Sequence, residues 1–241
     1  MIVIPMAGLS SRFFKAGYQE PKYMLPAHGK PLFDHALLSF SRYFTTMPFL
    51  FIVRDVCNTP EFVEKRCRQL GIKDYRIVSL TEATRGQAET VYLGLTDVDP
   101  QTPLTIFNID TFRPGFSFPA ITEHCDGYLE VFKGEGSNWS YAKPAAVDST
   151  LVVETAEKRP ISDLCSTGLY YFRHAADFCT AYTQEAAKPA SEWQKQELYI
   201  APLYNYLISQ GKQIHYHLIE RDEVIFCGVP EEYLSLLAQA D

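Results

Sequence analysis

Paired cysteines, long apolar runs, excess positive charge and repeats are all scarce in this chain of 241 residues. The six cysteines (Cys57, Cys67, Cys125, Cys165, Cys179 and Cys227) form no Cys-x-x-Cys pair and have no His at metal-finger spacing. That excludes a zinc module or redox dithiol and leaves free thiols in a reducing compartment as the expectation. No window approaches the roughly 20 apolar residues that cross a bilayer. The opening residues Met1 to Gly8 carry no basic stretch, so neither a signal peptide nor a membrane partner is expected, and the location expected is cytoplasmic. Lys and Arg total 22 against 29 Asp and Glu, a net charge of −7. A general nucleic-acid coat needs a basic surface and is not expected, although a local basic cluster can still bind a small anion. With no Pro/Ser/Gly linker, internal repeat or low-complexity tract, the chain reads as one domain.

What is present is core material: 46% hydrophobic and 14% aromatic residues. Apolar runs of strand length at Ile2–Pro5, Phe49–Val53, Tyr75–Leu80 and Leu104–Phe107 alternate with helical stretches after Pro31, from about Pro60 to Leu70 and from Gln87. Unbroken apolar strands separated by helices predict a parallel sheet covered on both faces. Further strands are expected at 128–132, 151–154, 169–172, 214–218 and 224–226, with helices near 174–187, 194–209 and 231–239. The whole predicts a three-layer α/β/α, Rossmann-like mixed sheet, mostly parallel. In such sheets ligands bind beyond the carboxyl ends of the strands.

Four segments fall just after those strands. In residues 5–26, Gly8 lets the backbone turn close to a ligand, and Ser10 and Ser11 offer amides and hydroxyls to phosphate oxygens. Arg12 and Lys22 add a forked and a point charge. The loop is neither a Walker sequence nor a Gly-x-Gly-x-x-Gly fingerprint. In 84–95, Gly86 and Gln87 precede a helix. In 104–112, Asp110 ends a buried strand, where a carboxylate needs a metal or cation. An oxygen ligand there suits Mg²⁺, which takes one or two carboxylates plus substrate phosphates. Taken singly, these segments also fit a Gly/Ser turn, a helix start and a turn cap. The fourth segment runs through 139–144, 156–163, 166–172 and 197–208.

Strand, Gly-containing turn, Arg12 and then Pro21-Lys22 resemble the N-terminal signature of the sugar-nucleotide pyrophosphorylases, or NTP-transferases, whose fold is GT-A-like and Rossmann-related. The family pattern Gly-Gly-x-Gly-Thr-Arg is met only in part by Ala7-Gly8-Leu9-Ser10-Ser11-Arg12. Residues 29–37 and the second-half segments are also similar, the latter to capsule-biosynthesis members. The resemblance implies an EC 2.7.7-type nucleotidyltransferase that moves a nucleoside monophosphate from an NTP, with CTP or UTP favoured, to a small phosphorylated acceptor. Cell-surface polysaccharide synthesis is the implied pathway. By the same resemblance, Ala7 to Ser11 with Gly86 and Gln87 bind the nucleotide. Arg12, Lys22 and Asp110 are catalytic, with Asp110 on Mg²⁺. Lys143, Glu157, Lys158, Thr167 and Gly168 bind the acceptor. Residues 1–112 would serve the NTP and 113–241 the acceptor. The family's closing Asp-x-Gly-Thr-Pro carries a second metal carboxylate, but Phe226 stands in its place. Either Asp110 suffices, or Asp222 or Glu223 substitutes, or the metal site is weaker. Three other readings stay open: a cytidylyltransferase for a non-sugar phosphate, a GT-A glycosyltransferase, and an inactive nucleotide-binding relative. Oligomeric state is not readable.

Overall fold

The computed structural model describes residues 1–239. In chain order the first half holds β1 (Ile2–Met6), α1 (Ser11–Lys15), β2 (Pro26–Ala27), β3 (Lys30–Pro31), α2 (Leu32–Leu38), β4 (Phe49–Arg54), α3 (Thr59–Leu70), β5 (Tyr75–Leu80), α4 (Gln87–Gly94), β6 (Leu104–Phe107) and β7 (Thr111–Phe112). The second half adds β8 (Gly127–Lys133), β9 (Ser140–Pro144), β10 (Val152–Glu157), β11 (Leu164–Phe172), α5 (Ala175–Ala186), α6 (Tyr204–Ser209), β12 (Ile214–Ile219), β13 (Ile225–Phe226) and α7 (Pro230–Leu237). Among the described residues, strands and helices alternate around a mixed, mostly parallel sheet, so the expected mixed α/β architecture is the one that forms. Among the described residues no helix is long and apolar enough to cross a membrane.

The chain packs as two compact units. One comprises Ile2–Ala83, Phe107–Ser117 and the segment from Asp222 on. Its strands run parallel in the order β1-β4-β5, with Ile2 opposite Phe49 and Phe49 opposite Tyr75. All five residues of β1 are buried, as a strand covered on both faces requires. Phe33, Phe40, Phe49, Phe51, Phe107 and Phe116 fill this core, with Phe40 edge-on to Phe107 at 5.0 Å and to Phe116 at 5.1 Å. Asp34, only 3% exposed, is paired by Arg66, as a buried carboxylate must be.

The other unit comprises Thr84–Ile106 and Phe118–Arg221, together with Met1. Here β10-β9-β11-β6 lie in order, β8 pairs with β11, and β12 runs parallel to β8. All nine residues of β11 are buried. Tyr204 stacks on Phe172 at 4.4 Å, and its hydroxyl donates to the carbonyls of Tyr128 and Tyr171 at 3.0 and 2.8 Å.

One expectation is corrected, and one strand was not expected. The helix expected over 194–209 is broken. Lys195 and Gln196 adopt left-handed conformations (φ 54 and 60), and Pro202 lies in a 3-10 turn, so only 204–209 is α-helical. Proline lacks the amide that an interior helical position requires. Ser140–Pro144, which shows no strand alternation, is a strand because it pairs antiparallel with β10.

Candidate active site

Asp110 sits in the turn between β6 and β7. Its carbonyl accepts the amide of Cys227 at 2.8 Å, and β7 pairs with β13, setting Thr111 opposite Phe226. Its carboxylate pairs with the Lys22 ammonium, and both side chains keep about a fifth of their surface exposed (23% and 20%). Lys22 is delivered by local geometry. Pro21 holds the chain extended before a short 3-10 turn, and the Lys22 amide donates to Ser10 Oγ at 3.1 Å. Ser10 is left-handed (φ 50), and its carbonyl accepts the Phe13 and Phe14 amides. Phe13, 1% exposed, anchors that turn against Tyr18 and Tyr233. The Ala7–Ser11 loop and the Pro21-Lys22 signature, separate in sequence, are therefore one device. Ala7 is buried, whereas Gly8, Leu9, Ser11 and Arg12 are exposed and turned to solvent.

The Phe226 departure has a structural counterpart. Glu232, in the first turn of α7, accepts the amides of Gly228 and Val229 at 2.7 and 3.2 Å. A Cβ on Gly228 would lie 3.0 Å from Asp110 Oδ2 and 3.7 Å from Glu232 Oε2, so both carboxylates face the same glycine. Of the two substitutes considered from sequence, Glu223 pairs with Arg113 at 3.3 Å and Asp222 is exposed. Among the described residues no group of three or more His, Cys, Asp or Glu could by itself hold a metal. Cys227 is buried, and burial, reinforced by Asp110 and Glu232, pushes its thiol up to about 12, so it is no nucleophile.

In the other unit, Gly86 precedes α4 at φ 149, ψ 176, a region essentially reserved for glycine. A Cβ there would meet the Leu198 carbonyl oxygen at 2.4 Å. Two backbone hydrogen bonds hold that approach: the Leu198 amide to the Arg85 carbonyl and the Ala88 amide to the Leu198 carbonyl, both 2.9 Å. Gln87 is half-buried at the first position of the helix.

The acceptor-side candidates are partly gathered. Glu157, 7% exposed, accepts a hydrogen bond from Ser140 Oγ, which lies 3.1 Å from the Tyr170 hydroxyl. Burial raises the Glu157 carboxyl above its ordinary value, while Ser140 and Lys158 pull the other way. Lys158, left-handed at φ 52, donates to the Tyr199 hydroxyl at 2.5 Å. Thr167 and Gly168 lie at the irregularity between Ser166 and Tyr170 in β11, and the Thr167 hydroxyl faces Glu130. Lys143 is exposed and its ion partner is Glu154, at 3.9 Å. Ser140, Tyr170, Gln194 and Tyr199 join Glu157 and Lys158, and Gly228 and Glu232 join Asp110. Sequence reasoning assigned none of these six a role at the site: strand pairing brings in Ser140 and Tyr170, side chains of the irregular 193–199 segment bring in Gln194 and Tyr199, and capping at the start of α7 brings in Gly228 and Glu232.

No family model matches the chain, and no curated protein does. Solved structures do. The nucleoside-diphosphate-sugar pyrophosphorylase from Vibrio cholerae RC9 is 61% identical over 99% of this chain and 100% of its own, with a TM-score of 0.96. A UDP-glucose pyrophosphorylase complexed with UDP-glucose is 16% identical over 98% and 96%, at TM-score 0.77. The inositol-1-phosphate CTP transferase from T. maritima is 14% identical over 98% and 94%, at 0.72. The last two carry the fold alone. The first carries the family: this chain belongs to the nucleoside-diphosphate-sugar pyrophosphorylases and is a nucleotidyltransferase.

Proposed function

We propose that the chain transfers a nucleoside monophosphate from CTP or UTP to a sugar phosphate or similar small phosphate in the cytoplasm, for cell-surface polysaccharide synthesis. A phosphate oxygen of the acceptor attacks the α-phosphorus of the NTP in line. The bond from that phosphorus to the β-phosphate oxygen breaks, and pyrophosphate leaves with the electron pair. No covalent enzyme intermediate is needed, so the protein's work is positioning and charge neutralisation.

The observation that carries this reading is the Lys22–Asp110 pair, held by the loop that also presents Gly8, Ser10 and Ser11. In this reading Lys22 and Arg12 neutralise the triphosphate and the charge developing on the leaving pyrophosphate. The backbone from Ala7 through Leu9 to Ser11 lies along the phosphates. Gly86 and Gln87 receive the base. Lys158 fixes the attacking phosphate, while Lys143, Glu157, Thr167 and Gly168 serve the acceptor. Residues 1–112 thus serve mainly the NTP and 113–241 the acceptor.

The divalent ion proposed is Mg²⁺. The donor set fits it: one hard carboxylate, Asp110, whose Oδ2 the Lys22 ammonium holds and a side chain at residue 228 would crowd, with substrate phosphates to complete the shell. Bound there, it would offset phosphate charge and polarise the α-phosphorus. The test is thermal unfolding with CTP, UTP, GTP, ATP and dTTP, each with and without Mg²⁺. A ligand at 100 times its dissociation constant stabilises the fold by about 2.7 kcal/mol. Stabilisation by CTP or UTP with Mg²⁺ is expected. Stabilisation by nucleoside-diphosphate sugars but by no NTP would overturn the reading in favour of a glycosyltransferase.

A further inference from the structure

One stretch of backbone touches both the loop assigned to the base and the pair assigned to the acceptor. At one end, Leu198 brackets Gly86 with the two main-chain hydrogen bonds described above, leaving no room for a Cβ. Arg85 locks this junction. Its guanidinium is gripped by Glu89, with Nε donating at 2.7 Å, reaches the Tyr182 hydroxyl at 3.2 Å, and lies 5.3 Å from the centre of the Trp193 ring. Burial raises the Glu89 carboxyl, but the hydrogen bonds from Arg85 and Tyr182 outweigh it and the net direction is down, as in an ion pair that holds. The Trp193 indole is fixed in turn, donating to the Glu185 carbonyl at 3.0 Å.

At the other end, the Gln194 side-chain carbonyl accepts the backbone amide of Glu157. The Tyr199 hydroxyl receives the Lys158 ammonium, which also lies 4.6 Å from the centre of that ring. Between these anchors, Lys195 and Gln196 are held in left-handed conformations at φ 54 and 60. Two successive non-glycine residues there cost free energy and persist only when their surroundings impose them.

We infer that residues 193–199 form a positioning strap linking the base loop to Glu157 and Lys158, with Arg85 as its pin and Gln194 as its tie. This rests on the reading above that Gly86-Gln87 receives the base and Lys158 the acceptor phosphate. A nucleotide that orders the Gly86 loop orders Leu198 through two hydrogen bonds, then Gln194 and Tyr199, and so presents Glu157 and Lys158 to the acceptor. Arg85 and Gln194 are positioning residues and need touch neither substrate.

Hydrogen–deuterium exchange with CTP or UTP and Mg²⁺, without acceptor, tests this. Two amides report directly: Leu198, bonded to the Arg85 carbonyl, and Glu157, bonded to Gln194. In the wild type, nucleotide is expected to slow exchange at residues 86–90, at Leu198 and at Glu157, by roughly fivefold or more. Arg85→Met should retain nucleotide protection at 86–90 and lose it at Glu157, with Arg85→Lys restoring part of it. Gln194→Ala should lose protection at Glu157 alone and keep it at Leu198, which removes dependence on a single variant folding. Wild-type protection confined to 86–90, or undiminished nucleotide protection of Glu157 in both Arg85→Met and Gln194→Ala, overturns the strap and leaves the base loop standing. Nucleotide protection elsewhere but none at 86–90 overturns the base-loop reading, and the strap with it.

Discussion

Replacing Gly86 by alanine tests the local architecture most sharply, because backbone alone sets the cost. The residue occupies φ 149, ψ 176. A non-glycine residue in such a conformation costs about 1–3 kcal/mol. The new methyl would also lie 2.4 Å from the Leu198 carbonyl oxygen and 2.6 Å from its amide nitrogen, neither of which is a flexible side-chain end. Relief requires the two strands of chain to part, which gives up two main-chain hydrogen bonds at about 0.5–1.5 kcal/mol each. The sum is about 2–6 kcal/mol. For chains of this size about 2–4 °C of Tm corresponds to each kcal/mol, so a fall of at least about 4 °C is expected in calorimetry. Urea unfolding should show a lower midpoint at unchanged slope. Gly8→Ala is the matched control: nothing lies within 4 Å of its Cβ position, so its stability should move by no more than about 1 kcal/mol. A Gly86→Ala protein within about 1 kcal/mol of wild type would refute the reasoning.

Three further outcomes are expected. Lys22→Ala should lower turnover by roughly 10²–10³-fold. Because the Lys22 and Asp110 side chains are only about a fifth exposed, the variant leaves a largely covered carboxylate without its partner, so the fold should lose about 1–3 kcal/mol by denaturant titration, and near wild-type turnover would remove Lys22 from the mechanism. Gly228→Ala places a methyl 3.0 Å from Asp110 Oδ2; turnover should fall about tenfold or more while Tm holds, and unchanged turnover would mean that the space beside that oxygen is unimportant. Glu157 has its folded pKa raised above 4.5 by burial, so just above that pH the folded state holds more protons than the unfolded one. Its contribution to stability must therefore fall as pH rises through that window, and Glu157→Gln should flatten the stability–pH curve from about pH 4.5 upward; an unchanged slope would contradict the assignment.

Where apolar runs meet their ends cleanly, sequence and structure coincide: Tyr75–Leu80 and Leu104–Phe107 are strands over those same bounds. β11 is longer than the expected 169–172 because every residue from Leu164 to Phe172 is buried, with Ser166 accepting the Gly168 amide and Thr167 donating across to Glu130 of β8. The 194–209 helix failed because apolar spacing at Leu198, Ala201, Tyr204 and Leu207 fits a helix, whereas Pro202 and two left-handed residues do not. At the site, Lys22 and Asp110 could each be named from loop chemistry, but their pairing spans 88 positions of sequence and exists only in the fold. Glu232 was invisible as an Asp110 neighbour because its role is to cap amides of its own helix start, which no spacing rule assigns to a distant strand tip.

The central claim is nucleotidyl transfer at the Lys22–Asp110 site. Its most direct test is pyrophosphate release from CTP and UTP with Mg²⁺ and a panel of sugar 1-phosphates, with wild type and Asp110→Asn side by side. The account predicts acceptor-dependent release by the wild type, matched one for one by a nucleoside-diphosphate product, and a loss of about 10³-fold or more in the variant. Equal release by both proteins, or product formed without pyrophosphate, would contradict it.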